Sequence, residues 1–318
     1  MFCIGTLIGT ACYGQKVGFL MDNLVEDRWN TDKRHFVSSV ENLGGECIVK
    51  VADGDADTQV RMARELVVEG VDVMVVIPTN AQKAVQIVEI AHDADIPVVA
   101  YDRLIPSKDV DVYISYDNHE VGRLQANAAL KANPKGNYVV INGPNTDLNA
   151  GFFKAGQYDM LLPKINSGDI NILDDIVLDD WSELPAFIAL QEVMNKGEKI
   201  DVVISAYDGF SSAVISGLNE EAAKRIFITG QDAQISAIKS IKTGLQNMTV
   251  YKPLKQLAVK AAEVAMLLAT EEGVPDADYR LFANLLVPSI LFEPISVNAS
   301  NLEETVVADG HVKASDLE

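Results

Sequence analysis

Asp102 and Arg103 follow the apolar run Val98-Val99-Ala100, and Asp232 follows the stretch Ile226–Gly230 about 130 residues later. Arg28 and Trp29, Asn149, Trp181, Tyr207, Asp208 and Lys252 fall either beyond other strand-like runs or, for Lys252, in a predicted crossing. Carboxylates accept pairs of hydroxyl hydrogens, and Arg and Lys donate to ring and hydroxyl oxygens, so the set matches vicinal diols. Indole faces pack on the apolar C–H side of a pyranose, and the only two Trp of the chain are both in this group. The chemistry that these ten residues suit together is capture of a monosaccharide.

Each residue also has an ordinary explanation. A carboxylate after a strand often caps the next helix, and Asp208 taken alone reads that way. Asp102 with Arg103 could be a surface ion pair, Lys252 a solvated charge, and the two Trp core filling. It is the convergence of all of them on matching strand ends in two halves of the chain that favours a pocket. Catalysis has little support. Cys-x-x-Cys, His-Glu-x-x-His and Gly-x-x-x-x-Gly-Lys are absent. The four His (His35, His92, His119, His311) fall on predicted helices or the tail, away from any candidate nucleophile. Asp102 and Asp232 could be imagined as a glycosidase pair, but a bidentate Arg beside a carboxylate lowers its pKa and unfits it as an acid. The expectation is a binding protein with no catalytic residue, no metal and no cofactor.

The elements that must place these residues recur. Val71–Ile77 precedes the Asp102 strand, and Ile200–Ile204 precedes the Asp232 strand at nearly the same offset. Both are apolar at nearly every position, as parallel strands covered by helices on both faces are. Strand–helix alternation at a fixed offset means two copies of one unit. The fold class is α/β: two similar doubly wound parallel-sheet lobes of Rossmann type, with a ligand cleft between them. Elements remain after the second copy, so the chain crosses more than once, at Ser115–Asn118, Thr249–Pro253 and Val287–Ser289, forming a three-strand hinge. The first lobe is expected over residues 16–115 and 253–287, the second over 116–252 and 288–318. Residues 1–15 read as a signal or lipoprotein segment, apolar and uncharged, with Cys12 as a possible lipid anchor. Cleavage after Cys12 would leave Cys47 as a lone thiol. A net charge of -20 over 318 residues argues against nucleic acid and anionic membranes.

At these residues the chain resembles the periplasmic sugar-binding proteins of ABC importers, type I fold, over nearly everything after residue 15. The likeness is carried by Asp27-Arg28-Trp29, Ala100-Tyr101-Asp102-Arg103, Tyr113-Ile114-Ser115-Tyr116-Asp117-Asn118, Gly230-Gln231-Asp232-Ala233 and Met248-Thr249-Val250-Tyr251-Lys252-Pro253. Arg-Trp and Thr-Val-Tyr-Lys-Pro are particular to the xylose binders among them. The resemblance implies that Arg28, Asp102, Arg103, Asn149, Asp232 and Lys252 hydrogen-bond a sugar while Trp29 and Trp181 stack on its ring. It also implies closure of two lobes over the ligand by a monomer in the periplasm or on the extracytoplasmic face of the membrane. The closed form would dock on an ABC permease or, alternatively, signal to a sensor histidine kinase or chemoreceptor. One position departs from the pattern: Tyr207 stands before Asp208 where the family usually has Asn, which changes what the pocket offers a hydroxyl.

Overall fold

The computed structural model describes residues 14–270 and 275–317. The expected export segment, with Cys12, falls largely in residues 1–13, outside the described residues.

The first sheet is built from β1 (Lys16–Met21), β2 (Glu46–Val51), β3 (Val73–Val76), β4 (Val98–Tyr101) and β5 (Val112–Tyr116), with helices α1 (Asp27–Asn42), α2 (Ala56–Glu69) and α3 (Ala81–His92) between them. In β1 the side chains of Val17, Phe19 and Met21 join α1 in one buried layer, while Leu20 points into the other layer, against α2 and α3. This period-2 alternation with both faces covered is why the strand runs are apolar throughout.

The second unit repeats the plan. It consists of α4 (Asn118–Ala132), β6 (Gly136–Asn142), α5 (Leu148–Asn166), β7 (Ile170–Val177), α6 (Glu183–Asn195), β8 (Val202–Ser205), α7 (Asp208–Ser216), α8 (Glu220–Arg225), β9 (Phe227–Ile228), α9 (Ile235–Thr243) and β10 (Met248–Tyr251). After it come α10 (Leu254–Ala269), β11 (Asp278–Phe282), β12 (Leu285–Phe292) and β13 (Ile295–Asn298), then a short π-helical turn at Glu303–Val307 and a 3-10 turn at Ala314–Leu317.

The first sheet has the order β2-β1-β3-β4-β5-β12-β11 and the second β7-β6-β8-β9. Asn247 N–H to Ile228 O (3.0 Å) and Val250 N–H to Gly230 O (3.1 Å) attach the β10–β13 pair beyond β9. Each half therefore places its second strand outside its first and its third inside, a doubly wound order whose reversal opens a crevice at the carboxyl ends. The main departure from parallel pairing in the first sheet is β11, an antiparallel edge strand exposed along most of its length.

The chain passes between sheets at Asp117, at Lys252–Pro253 and at Glu293–Pro294. The last crossing is a correction: the sequence placed it at Val287–Ser289 on account of Pro288. Ser289–Phe292 pairs with Tyr113–Tyr116, so the first sheet keeps the chain to Phe292. Pro288 sits one residue before that pairing begins, where it costs the strand at most one ladder bond. The segment from Ile295 onward belongs with the second unit, where Leu302, Val306, Val312 and Leu317 share a core with Ile238 and Ile241.

Helices α4 and α5 meet backbone to backbone. A Cβ on Gly122 would lie 1.9 Å from Phe153 O, and one on Gly156 would lie 1.9 Å from His119 O. That contact fixes the first turn of α5, where Asn149 sits. Gly156→Ala should therefore lower the unfolding free energy by about 2 kcal/mol or more through overpacking. Gly151→Ala, on the same helix but facing open space, should be neutral or stabilising by about 0.5–1 kcal/mol. Urea denaturation of the two variants checks the pair, and equal stabilities would contradict the close approach.

Candidate ligand-binding cleft

Nine of the ten residues picked from the sequence line one cavity between the two sheets: Arg28, Trp29, Asp102, Arg103, Asn149, Trp181, Tyr207, Asp232 and Lys252. Each is delivered by the carboxyl end of a strand, by the loop that follows it, or by the first turn of the next helix, as Arg28 and Trp29 are by α1 and Asn149 by α5. Glu26, Asp147, Phe153 and Gln231 complete the lining, and sequence reasoning had not picked them as site residues. Asp147 lies two residues before Asn149 in the same strand-end loop, which was the available signal. Glu26 sits beside Arg28 but has no counterpart in the second half of the chain to mark it.

Arg28, at the start of α1, joins the halves. Its Nη2 is 2.7 Å from Asp102 Oδ2 in the first lobe, and its Nη1 is 3.0 Å from Asp232 Oδ1 in the second. Lys252 Nζ lies 3.3 Å from the same Asp232 oxygen. Arg103 makes a second bridge, from its Nη1 to Asp22 Oδ2 at 2.8 Å and from its Nε to Asp147 Oδ2 at 2.9 Å across the cleft. Asn149 Nδ2 donates to the Asp102 carbonyl at 3.2 Å, and Asn118 Nδ2 holds Asn149 Oδ1 at 2.9 Å.

These groups are nearly shut off from water, so their fields act at low dielectric. Burial alone would raise the pKa of Asp102, but Arg28, Lys252 and Arg103 outweigh it and hold the group down to about 2. Behind Arg28, the fully buried Asp32 accepts the Tyr101 hydroxyl and lies 3.7 Å from Arg28 Nε. Burial pushes Asp32 up to about 7 against the pull of Arg28 and Tyr101. Burial likewise raises Asp147, with Arg103 opposing. Asp102 (φ 61°) and Asp232 (φ 90°) both adopt left-handed backbone, an unusual conformation at equivalent places in the two halves. Such strain costs on the order of 1 kcal/mol and tends to gather at ligand clamps.

The two Trp residues also pack against protein groups around the cavity. Trp29 packs against guanidinium groups, with Arg28 Cζ 4.2 Å and Arg103 Cζ 5.3 Å from its ring centre. Trp181 stacks on Phe210 (5.5 Å, 19°), meets Tyr207 edge-on (5.7 Å) and donates from Nε1 to Asp147 Oδ2 at 3.2 Å. It lies over Gly143, whose missing side chain makes the room, since a Cβ there would be 2.3 Å from the indole.

Asp208 is the tenth residue, and it does not line the cavity. It is fully buried and accepts from Gln246 Nε2, Gln234 N and Thr249 Oγ1, each at 2.9 Å. It ties the β8 turn to the starts of α9 and β10 as a long-range structural bracket, and it does not cap α7, whose N-cap is Tyr207.

The cavity holds about 20 Å³, enough for about one water and too little for a pyranose. On its outer side the cleft widens to about 960 Å³, sharing Glu26, Arg28, Trp181, Tyr207 and Asp232. A ring can be seated only if the lobes part and its hydroxyls take over contacts that Arg28 and Asp232 now make with each other.

Residues 17–273 match the periplasmic binding protein domain family. The chain belongs to that family. It is 39% identical over 305 residues to the D-xylose-binding periplasmic protein of Escherichia coli (strain K12), covering 95% of this chain and 92% of that one. It is 30% identical to the multiple sugar-binding periplasmic receptor ChvE of Rhizobium radiobacter, covering 95% and 92%. Among solved structures it is similar to an ABC transporter solute-binding protein from Clostridium phytofermentans with bound β-D-glucose, with TM-score 0.88 and 25% identity, covering 96% of this chain and all of that one. Members of this family bind solutes without transforming them, and this chain is a binding protein and not an enzyme.

Burial pushes Asp208 up to about 8, against the pull of its three hydrogen-bond donors. Asp32 and Asp208 thus hold protons in the folded chain at a pH where the unfolded chain has released them. Folding takes up protons between about pH 4 and pH 8, so stability should fall as pH rises through that range. Asp102 acts in the opposite sense, but only below its ordinary carboxylate range. Asp208→Asn should flatten the decline of the melting temperature between pH 6 and pH 8. A slope as steep as in the parent chain would contradict the assignment.

Proposed function

We propose that this chain captures a free monosaccharide in the periplasm and hands it to an ABC importer as the two lobes close. The site comprises Arg28, Trp29, Asp102, Arg103, Asn149, Trp181, Tyr207, Asp232 and Lys252. D-xylose is the first sugar to test, because the relative named for it aligns with nearly the whole chain. The observation that carries the reading is that two strained strand-end carboxylates, one from each lobe, converge on a single guanidinium inside one polar cavity.

The roles follow from the chemistry of the groups. Asp102 and Asp232 supply carboxylate acceptors for hydroxyl pairs. Arg103, Lys252 and Asn149 supply fixed donors, and Arg28 exchanges part of its carboxylate bonding for sugar oxygens. A sugar shifts an open–closed equilibrium only through contacts that need both lobes. Those contacts are available where Arg28 meets Asp232 and where Arg103 meets Asp147. Tyr207 offers a single hydroxyl in place of an amide, so selectivity among pentoses and hexoses is set at that wall.

Calorimetry against a panel of neutral pentoses and hexoses tests the reading, with at least one expected to bind. Asp102→Ala should weaken that sugar on the order of 100-fold or more, by leaving Arg28 short of its counter-ion and sugar hydroxyls without an acceptor. Its far-ultraviolet circular dichroism should be unchanged. Normal affinity in the Asp102→Ala protein, or no response to any sugar, would contradict the reading.

A further inference from the structure

Charged groups in the cavity are committed to one another with one exception. Arg28, Arg103 and Lys252 are each paired with carboxylates, and Asp102, Asp147 and Asp232 are each paired with cations. Glu26 lines the same cavity, yet among the described residues no cation lies within salt-bridge distance of its carboxylate. It is the N-cap residue of α1, but its side chain does not cap that helix. Two neutral donors stand beside it. The Trp29 indole N–H, in a residue 2% exposed, lies close enough to the Glu26 carboxylate to lower its pKa, without completing a hydrogen bond among the described residues. The Tyr207 hydroxyl accepts from Gln234 Nε2 at 2.8 Å and, among the described residues, gives its own hydrogen to no acceptor. Glu26 and Tyr207 also line the outer cleft, so they stand where the cavity opens.

We propose that Glu26, with Tyr207 and the Trp29 indole, is a selectivity wall that reads the outward-facing substituent of the sugar, accepting a hydroxyl and excluding a carboxylate. This deepens the sugar-binding reading and rests on it. Three cations face four carboxylates around the cavity, counting Glu26, and the surplus negative charge is the one that lacks a partner. Two like charges about 6 Å apart at an effective dielectric near 20 disfavour each other on the order of 100-fold. A neutral sugar meets no such penalty and offers Glu26 a hydroxyl donor at closer range than the indole does. Asp232 faces Glu26 as a second anion, while Arg28 and Arg103 face it as cations and Tyr207 as a neutral hydroxyl. Burial first, and Asp232 second, raise the Glu26 pKa. Acidification therefore discharges the wall before it reaches the ligand's own carboxylate.

D-xylose, D-glucose and D-glucuronate share one ring configuration and differ at C5 by hydrogen, hydroxymethyl and carboxylate, which makes them suitable probes. Titration calorimetry with the full chain should show D-glucuronate bound at least about 100-fold more weakly than the better of the two neutral sugars. In Glu26→Gln the two ligand types should move in opposite directions: the neutral sugar weakens by up to about 10-fold, and D-glucuronate tightens by 10-fold or more. In the parent chain the gap should narrow as pH is lowered toward the carboxylate range, and in Glu26→Gln it should not. The second comparison separates Glu26 from Asp32, which titrates behind Arg28 in both proteins. A gap unchanged by the substitution, with D-glucuronate still rejected, overturns the role of Glu26 while leaving the sugar-binding reading intact. Failure of the parent chain to bind any neutral sugar overturns that reading, and this inference with it.

Discussion

The guanidinium of Arg28 is held between Asp102 of one lobe and Asp232 of the other, and the rest of the cleft is arranged around that bridge. A buried cation with two buried carboxylates is costly to desolvate and stable only while every partner is in place. Here the third face of the guanidinium rests on Trp29, and Asp32 stands behind it with Tyr101. The carboxylates are in turn steadied by Lys252 on Asp232 and by the left-handed turns at residues 102 and 232. Such an array gains little from being closed on itself. Sugar hydroxyls, which donate to carboxylates and accept from the guanidinium, can enter it without leaving a charge unpaired. The charges thus give the cleft both its affinity for a polyol and its means of bringing the lobes together.

The fold supplies this array twice over. Parallel strands covered on both faces must end in loops on one side, and the reversal of strand order opens a crevice among those ends. Duplication places a second crevice opposite the first. Three crossings at Asp117, Lys252–Pro253 and Glu293–Pro294 join the sheets side by side, so the lobes can rotate without sliding. Lys252 stands in one of these crossings and touches Asp232, which couples the hinge directly to the ligand-facing charges.

Much of this was legible in the sequence for a definite reason. Continuous apolar runs followed by single polar residues reveal buried parallel strands and their carboxyl ends, and the recurrence 130 residues on reveals the second lobe. What escaped was set by tertiary contact. Pro288 looked like a break, but its neighbours pair with β5. Asp208 occupies the same kind of strand-end position as Asp232, yet Gln246 and Thr249 from a distant turn and strand turn it inward. Glu26 carried no periodic or repeated signal, and what singles it out is that, among the described residues, no cation lies within salt-bridge distance of it in the cavity.

The central claim is that the two lobes are drawn together by a ligand that engages charges from both. Small-angle X-ray scattering of the full chain, with and without a sugar that calorimetry shows to bind, tests this directly. The account predicts an open form in solution whose radius of gyration shrinks when the sugar is added, and no such shrinkage for Asp232→Ala at the same sugar concentration. A scattering profile identical with and without saturating sugar would contradict it.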